Sequence, residues 1–269
     1  MSPVKALVLT GFGLNCDLET SYALEKGGAV VERVHLNSLI ERERTLADFQ
    51  IFVVGGGFSW GDDHGAGVIM AMRLKHRMKE DILEFVGRGG IVIGICNGFQ
   101  VLVNIGLLPG FEPSEMKRQV ALINNDCGTF LDRWVHLVAN TESPCVLSRG
   151  ITGIDLPVRH GEGKFYTEPE VLQRLEAGHQ VFLRYAAPGG KPARGEFPAN
   201  PNGSIADIAG ICDPTGRIAG LMPHPEAYNH WTNHPDWTLR KEECLRQGSA
   251  FPEEGSGIQL FRNAVEYFR

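Results

Sequence analysis

One stretch, Ile91–Asn104 (Ile-Val-Ile-Gly-Ile-Cys-Asn-Gly-Phe-Gln-Val-Leu-Val-Asn), restricts the fold more than any other. Its first half is a short apolar, β-branched run behind Gly89-Gly90, the pattern of a strand buried on both faces of a parallel sheet. Its second half has the spacing of an amphipathic helix. Cys96 stands at the junction, with Gly94 two residues before it and Gly98 two after. A strand that turns at once into a helix strains the residue at the turn, and only small neighbours let the backbone pass that close to itself. The frame is that of a nucleophile elbow with sulfur in place of oxygen. A thiol there stands at a helix N-terminus, where the dipole favours thiolate. The N–H of Asn97 then points at the oxygen of a carbonyl under attack. The alternative is a structural cysteine packed between two turn glycines.

A nucleophilic cysteine needs a base, and the base needs a group to orient it. Ile218–Glu226 supplies both: a strand-like run ends in Met222-Pro223-His224-Pro225-Glu226. Alternate residues of an extended chain share a face, so His224 and Glu226 are expected to project together, with Pro223 and Pro225 stiffening the backbone. The competing reading is a surface turn with two prolines.

These residues resemble a family. Gly-Ile-Cys-Asn-Gly-Phe-Gln followed far downstream by Pro-His-Pro-Glu is similar to the class I (triad) glutamine amidotransferases. More narrowly it resembles the glutaminase subunits of phosphoribosylformylglycinamidine synthase. Gly13–Glu19, Gly56–Asp62, His160–Gly163 and Asn200–Ser204 occur in family order and carry the narrower match. The resemblance implies that Cys96, His224 and Glu226 are catalytic and that Gly57 and Asn97 form the oxyanion hole. It also implies that Gly56, Phe58 and Gln100 contact L-glutamine. The ammonia would go to a large synthetase subunit, assembled through a small bridging subunit, which amidates formylglycinamide ribonucleotide with ATP and magnesium. No cofactor is expected in this chain. Two alternatives stand beside this: an amidotransferase of the same fold serving another acceptor, and a cysteine-bearing sensor or chaperone-like protein on a related flavodoxin-like fold.

The order of elements agrees with the implied fold. Strands are expected at Val4–Leu9, Ala29–Leu36, Ile51–Val54 and from Ile91, with helices at Asp17–Lys26, Val68–Val86 and after Cys96. Met70, Leu74 and Met78 recur at helical spacing, the stripe of a core-facing helix. Alternating strand and helix gives an α/β, flavodoxin-like three-layer sandwich: a mostly parallel central sheet with helices on both faces. Such sheets collect ligands at the carboxyl ends of their strands, where Cys96 and the Gly55-Gly56-Gly57 loop both fall. Three glycines leave that loop conformationally free, so its N–H groups are expected to be set only when a partner docks. Residues 119–123, 130–138, 155–159, 180–185, 205–211 and 217–222 read as a mixed or antiparallel extension of the sheet, with Asp213–Gly216 as a hairpin turn.

The remaining signals are weaker. Gly11-Phe12-Gly13 imitates the start of a dinucleotide fingerprint, but Cys16 stands at the third glycine position. Cys16 also competes as a nucleophile, though without the flanking small residues. His160 and Glu162 form a minor acid–base alternative. His230 and His234 have the i, i+4 spacing of zinc ligands, yet Pro235 follows and no third ligand is evident, so no metal is expected. Residues 227–255 read as a surface insertion before a closing helix at 258–268, within a single domain spanning 1–269. The net charge of −6 disfavours nucleic acid as a partner. No apolar run is long enough for a membrane span or signal peptide. Six cysteines without a C-x-x-C pair suit reduced thiols in a cytoplasmic protein.

Overall fold

In the computed structural model, which describes residues 3–269, strand and helix alternate through residue 105 as the patterning predicts. The order is β1 (Lys5–Thr10), α1 (Asp17–Gly27), β2 (Val30–His35), a short α2 (Leu36–Ile40), β3 (Ile51–Val54), α3 (Val68–Gly87), β4 (Ile91–Ile95) and α4 (Asn97–Ile105). β3 and β4 are buried along their whole length, because helices cover both faces of the sheet. α1 stops where Gly28 adopts a left-handed conformation and returns its N–H to the Glu25 carbonyl. Met70, Leu74 and Met78 of α3 are buried, as their spacing requires.

The second half contributes β5 (Val120–Ile123), β6 (Leu131–Ala139), β7 (Gly153–His160), β8 (Lys164–Thr167) and α5 (Pro169–Ala177). There follow β9 (Val181–Ala187), β10 (Lys191–Pro192), β11 (Ile208–Cys212), β12 (Ile218–Leu221), α6 (Trp237–Gln247) and α7 (Ile258–Glu266). The main sheet runs β2-β1-β3-β4-β12-β11-β9-β6-β7, with β10 added on β9. Strands β2 to β12 in that order are parallel, and from β11 outward every pairing is antiparallel. α1 packs with α7, and α3 with α4.

Several expectations need correction. Residues 120–123 do not extend the main sheet; they pair with β8 in a separate two-stranded sheet. Local β-propensity marks a strand but not its partner, which is set by tertiary packing. Residues 205–207 form a 3₁₀ turn, and the strand starts at Ile208. The segment between Glu226 and α7, read as a surface insertion, holds α6, whose Arg240 reaches back to Asp155 on β7 at 2.7 Å.

Registers between neighbours fix where chemistry is possible. Val54 of β3 pairs with Gly94 of β4, and Leu221 of β12 pairs with Ile95. The chain leaves all three parallel strands at one edge within a few residues of pairing. That edge receives the glycine loop, Cys96 and the Pro-His-Pro-Glu stretch together.

Candidate active site

Cys96 occupies the turn between β4 and α4 with φ +50° and ψ −104°. A side-chain-bearing residue held there stores on the order of 1–3 kcal/mol, so the surroundings must enforce it. They do. The Cys96 N–H donates to the Leu221 carbonyl on the neighbouring strand at 2.8 Å. Gly98 lies so close to the Val54 carbonyl that any Cβ would overlap it, which explains the small residue two places after the cysteine.

His224 follows β12 by three residues and is anchored through its own N–H to the Pro157 carbonyl on β7, at 2.8 Å. Its Nδ1 lies 2.5 Å from Glu226 Oε1, and both side chains are buried. The two meet as expected, but by another route. Pro225 opens a 3₁₀ turn over Pro225–Ala227, and this curl, not an extended alternation, brings the carboxylate back to the ring. Burial opposes charge on His224, yet the adjacent Glu226 and the thiols of Cys96 and Cys16 hold its pKa well above the usual imidazole value. His224 Nε2, the nitrogen turned from Glu226, is buried without a partner among the described residues.

The Gly55-Gly56-Gly57 loop is braced. Asn15 and Cys16 N–H groups both donate to the Gly56 carbonyl at 3.2 Å, and Phe58 N–H donates to the Gly13 carbonyl at 2.9 Å. These bonds flank a bridge between Leu14 and Gly57, so the N–H of Gly57 itself faces away from Leu14. Neither that N–H nor the N–H of Asn97 has a hydrogen-bond partner among the described residues. Free as its composition makes it, the loop is held on both sides of Gly57 by the 11–16 loop. The same bonds consume the amides that a dinucleotide phosphate would need, so Gly11-Phe12-Gly13 is a brace and not a fingerprint. Gly56 must lack a Cβ because one would stand 2.7 Å from the His224 ring.

A cavity of about 140 Å³ opens beside the thiol, lined by Asn15, Cys16, Gly57, Phe58, Cys96, Phe130, Arg159 and His224. A larger groove of about 670 Å³ lies on β6 and β9, against Arg133, His136, Lys191 and Arg194, and brings no cysteine to its walls. Gln100 is not in the Cys96 cavity. It is buried, donates to the Glu162 carbonyl at 2.5 Å and accepts from Asn97 Nδ2 at 3.0 Å. The structure gives it a supporting position behind Asn97. The Asn97 side chain also accepts from Ser59 N–H at 3.3 Å and donates to Asp62 at 3.0 Å, tying elbow to loop. Burial, with nearby Glu162, pushes the Asp62 carboxyl up to about 6.

The His160-Gly-Glu-Gly stretch is structural. His160 is buried, held by Asn125, and pushed down to about 3 by burial and by His224, so it stays neutral. Glu162 instead accepts from Ala66 N–H, and no acid–base pair forms with His160. Asn200–Ser204 folds into a knot in which Asn202 donates to the Gly163 carbonyl at 2.8 Å, propping that turn. His230 and His234 are not on one helix face; His230 bonds Thr232, and His234 bonds Arg240, so they form no ligand pair.

Two residues at the site were missed or undervalued in the sequence. Arg159, at the end of β7, places Nη2 3.3 Å from His224 Nδ1 and 3.8 Å from Glu226 Oε1, and lines the cavity. Its only signal was position, two residues before Gly161 at a strand end. Cys16, ranked below Cys96, shares the same cavity; its place at a helix start was visible, its approach to His224 was not.

A parallel sheet carrying a cysteine elbow on one strand and a His–carboxylate turn on its neighbour is the architecture of a glutamine amidotransferase. Residues 3–268 match the family described as the CobB/CobQ-like glutamine amidotransferase domain, and the chain belongs to that family. Within it the chain groups with PurQ subunits of phosphoribosylformylglycinamidine synthase. The relative from Methanococcus maripaludis strain S2 is 44% identical over 267 residues, covering 98% of this chain and 97% of the relative. That from Dehalococcoides mccartyi is 44% identical over 269 residues, covering 100% and 99%. The corresponding chain in the structure of PurLQS from Thermotoga maritima superposes with a TM-score of 0.71 at 27% identity, covering both chains completely. The flavodoxin-like sensor alternative is thereby set aside.

Proposed function

We propose that this chain is the glutaminase subunit of phosphoribosylformylglycinamidine synthase in purine biosynthesis. It hydrolyses L-glutamine and passes the ammonia to a synthetase. The observation that carries the chemistry is the His224–Glu226 pair and Cys96 brought to one cavity at the edge where β4 and β12 end together. Full-length likeness to PurQ subunits supports the acceptor reaction, and the PurLQS assembly supports a complex with a large synthetase and a small bridging subunit. ATP and magnesium belong to the synthetase in this reading.

Cys96 attacks the side-chain amide carbon of glutamine as the thiolate, its proton held on His224. The N–H groups of Gly57 and Asn97 receive the oxyanion. His224, raised in pKa by Glu226, gives its proton to the departing ammonia and then takes one from the water that releases glutamate. Phe58, exposed at the cavity mouth, covers the substrate's methylenes. Arg159, the one permanent cation among the described residues of the lining, receives the α-carboxylate.

The test is glutamate release from glutamine by the chain with and without its synthetase, in wild type and in Cys96→Ser. Release that depends on Cys96, and ammonia transfer into formylglycinamide ribonucleotide when the complex is assembled, are the expected results. Turnover unchanged in Cys96→Ser would remove the assignment.

A further inference from the structure

The mechanism above uses one thiol, yet the cavity holds two. Cys16 Sγ, a ring nitrogen of His224 and a carboxylate oxygen of Glu226 all lie within 4.8 Å of one another, and all three side chains are buried. A second, independent observation points to a ligand at this place. Glu226 Oε2 is fully buried and has no hydrogen-bond partner among the described residues. A buried carboxylate oxygen left unpaired in this way is costly, and its residue belongs to this cluster.

We propose that Cys16, His224 and Glu226 form a dissociable binding site for a borderline-soft divalent cation of the zinc class, and that the bound ion switches the glutaminase off. The donor set is one thiolate sulfur, one imidazole nitrogen and one carboxylate oxygen, which suits zinc and excludes magnesium or calcium, whose ligands are oxygens. Zinc places these donors about 2.0–2.3 Å from itself, hence roughly 3.3–3.8 Å from one another in a tetrahedron. Cys16 Sγ closes to that from within 4.8 Å, while His224 Nδ1 and Glu226 Oε1 open to it from 2.5 Å. The Cys16 backbone provides a fixed anchor: its N–H donates to Gly56, and its carbonyl accepts from the N–H and hydroxyl of Thr20. The ion enters through the solvent-connected cavity beside Phe58 and Phe130, and its fourth position faces that cavity. Binding releases the Cys16 proton to solvent and occupies the imidazole that the reaction needs as acid and base. Arg159, 3.8 Å from Glu226, opposes a second positive charge, which makes the site reversible instead of a permanent structural centre. This departs from the expectation, read from sequence, that the chain holds no metal.

The test uses the full chain in a Cys127→Ser, Cys244→Ser background, which removes the more accessible thiols. Equilibrium dialysis against zinc is expected to give one ion per chain, and cobalt(II) a thiolate-to-metal charge-transfer band. Loss of an outer partner of a metal site costs 10–100-fold in affinity, so Cys16→Ser, which removes a ligand, is expected to weaken zinc binding by at least about 100-fold and abolish the cobalt band. Cys96→Ser should bind as the background does. In the assembled complex, zinc should stop glutamate release, a chelator should restore it, and Cys16→Ser should need about 100-fold more zinc. Thermal melting checks the fold of Cys16→Ser, and Glu226→Gln serves as a second ligand variant, also expected to weaken binding. Zinc affinity unchanged in both variants, or lost only in Cys96→Ser, would overturn the proposal. The dialysis and cobalt measurements stand even if the chain proves to have no glutaminase activity, so the two readings fail separately.

Discussion

Arg159 offers the sharpest test of how glutamine is recognised. Its guanidinium lines the Cys96 cavity, its side chain is 34% exposed, and no other lining residue carries a permanent charge. Charge-assisted hydrogen bonds contribute about 1.5–3 kcal/mol, which at 1.4 kcal/mol per factor of ten is roughly 10- to 150-fold. One-third exposure places the pair at the lower end, so Arg159→Gln is expected to reduce kcat/KM for glutamine by about 10- to 30-fold, mostly through KM. A second effect must be separated from this one. Arg159 Nη2 also stands 3.8 Å from Glu226 Oε1, so its removal alters the charge around the base. The separating substrate is 4-aminobutanamide, glutamine without its carboxylate. Ammonia release from both amides by the assembled complex, wild type and Arg159→Gln, completes a cycle. The loss should appear with glutamine and nearly vanish with the analogue. An equal loss with both would mean that Arg159 acts through His224 and Glu226 and not on the carboxylate, and the reasoning would be refuted.

Three further outcomes follow from the same geometry. Glu226→Gln should slow glutamate release by less than His224→Ala, by roughly 10- to 100-fold, because an amide can still hold Nδ1 while nothing replaces the base; single-turnover rates measure it. Asp62→Asn should stabilise the chain at pH 8 and not at pH 4. The Asp62 carboxyl rises from 3.8 to about 6 on folding, so the folded state is penalised once pH passes through that window, and the penalty is absent below it. In full this is about 3 kcal/mol, reduced by its half-exposed position to about 1 kcal/mol, readable by urea unfolding at the two pH values. Gly98→Ala should cost more stability than Gly94→Ala at the other side of the elbow, since its Cβ would overlap the Val54 carbonyl outright whereas that of Gly94 would stand 2.8 Å from the Gly98 carbonyl; a denaturation midpoint no lower than that of Gly94→Ala would contradict the close approach to Val54.

Much of this molecule was legible in the chain because its signals are local. Buried parallel strands announce themselves as continuous apolar runs, and an elbow announces itself through glycines at fixed offsets. Cys96, His224 and Glu226 could be named for that reason, and the alternation of strand and helix placed Cys96 and the glycine loop at strand ends. What only the tertiary structure decided depends on which segments become neighbours. β5 found β8 instead of the main sheet. Gln100 turned to Glu162 and Asn97 instead of the cavity. The glycine loop, free by composition, is held by backbone bonds from Gly13, Asn15 and Cys16, partners about 40 residues away whose carbonyls and N–H groups carry no sequence signature. Arg159 and Cys16 reached the site by the same means, one from the far antiparallel strand β7 and one from the start of α1. Periodicity and glycine spacing encode what a segment becomes, but side-chain convergence across a sheet depends on register and packing between segments distant in sequence, and these emerge only when the chain has folded.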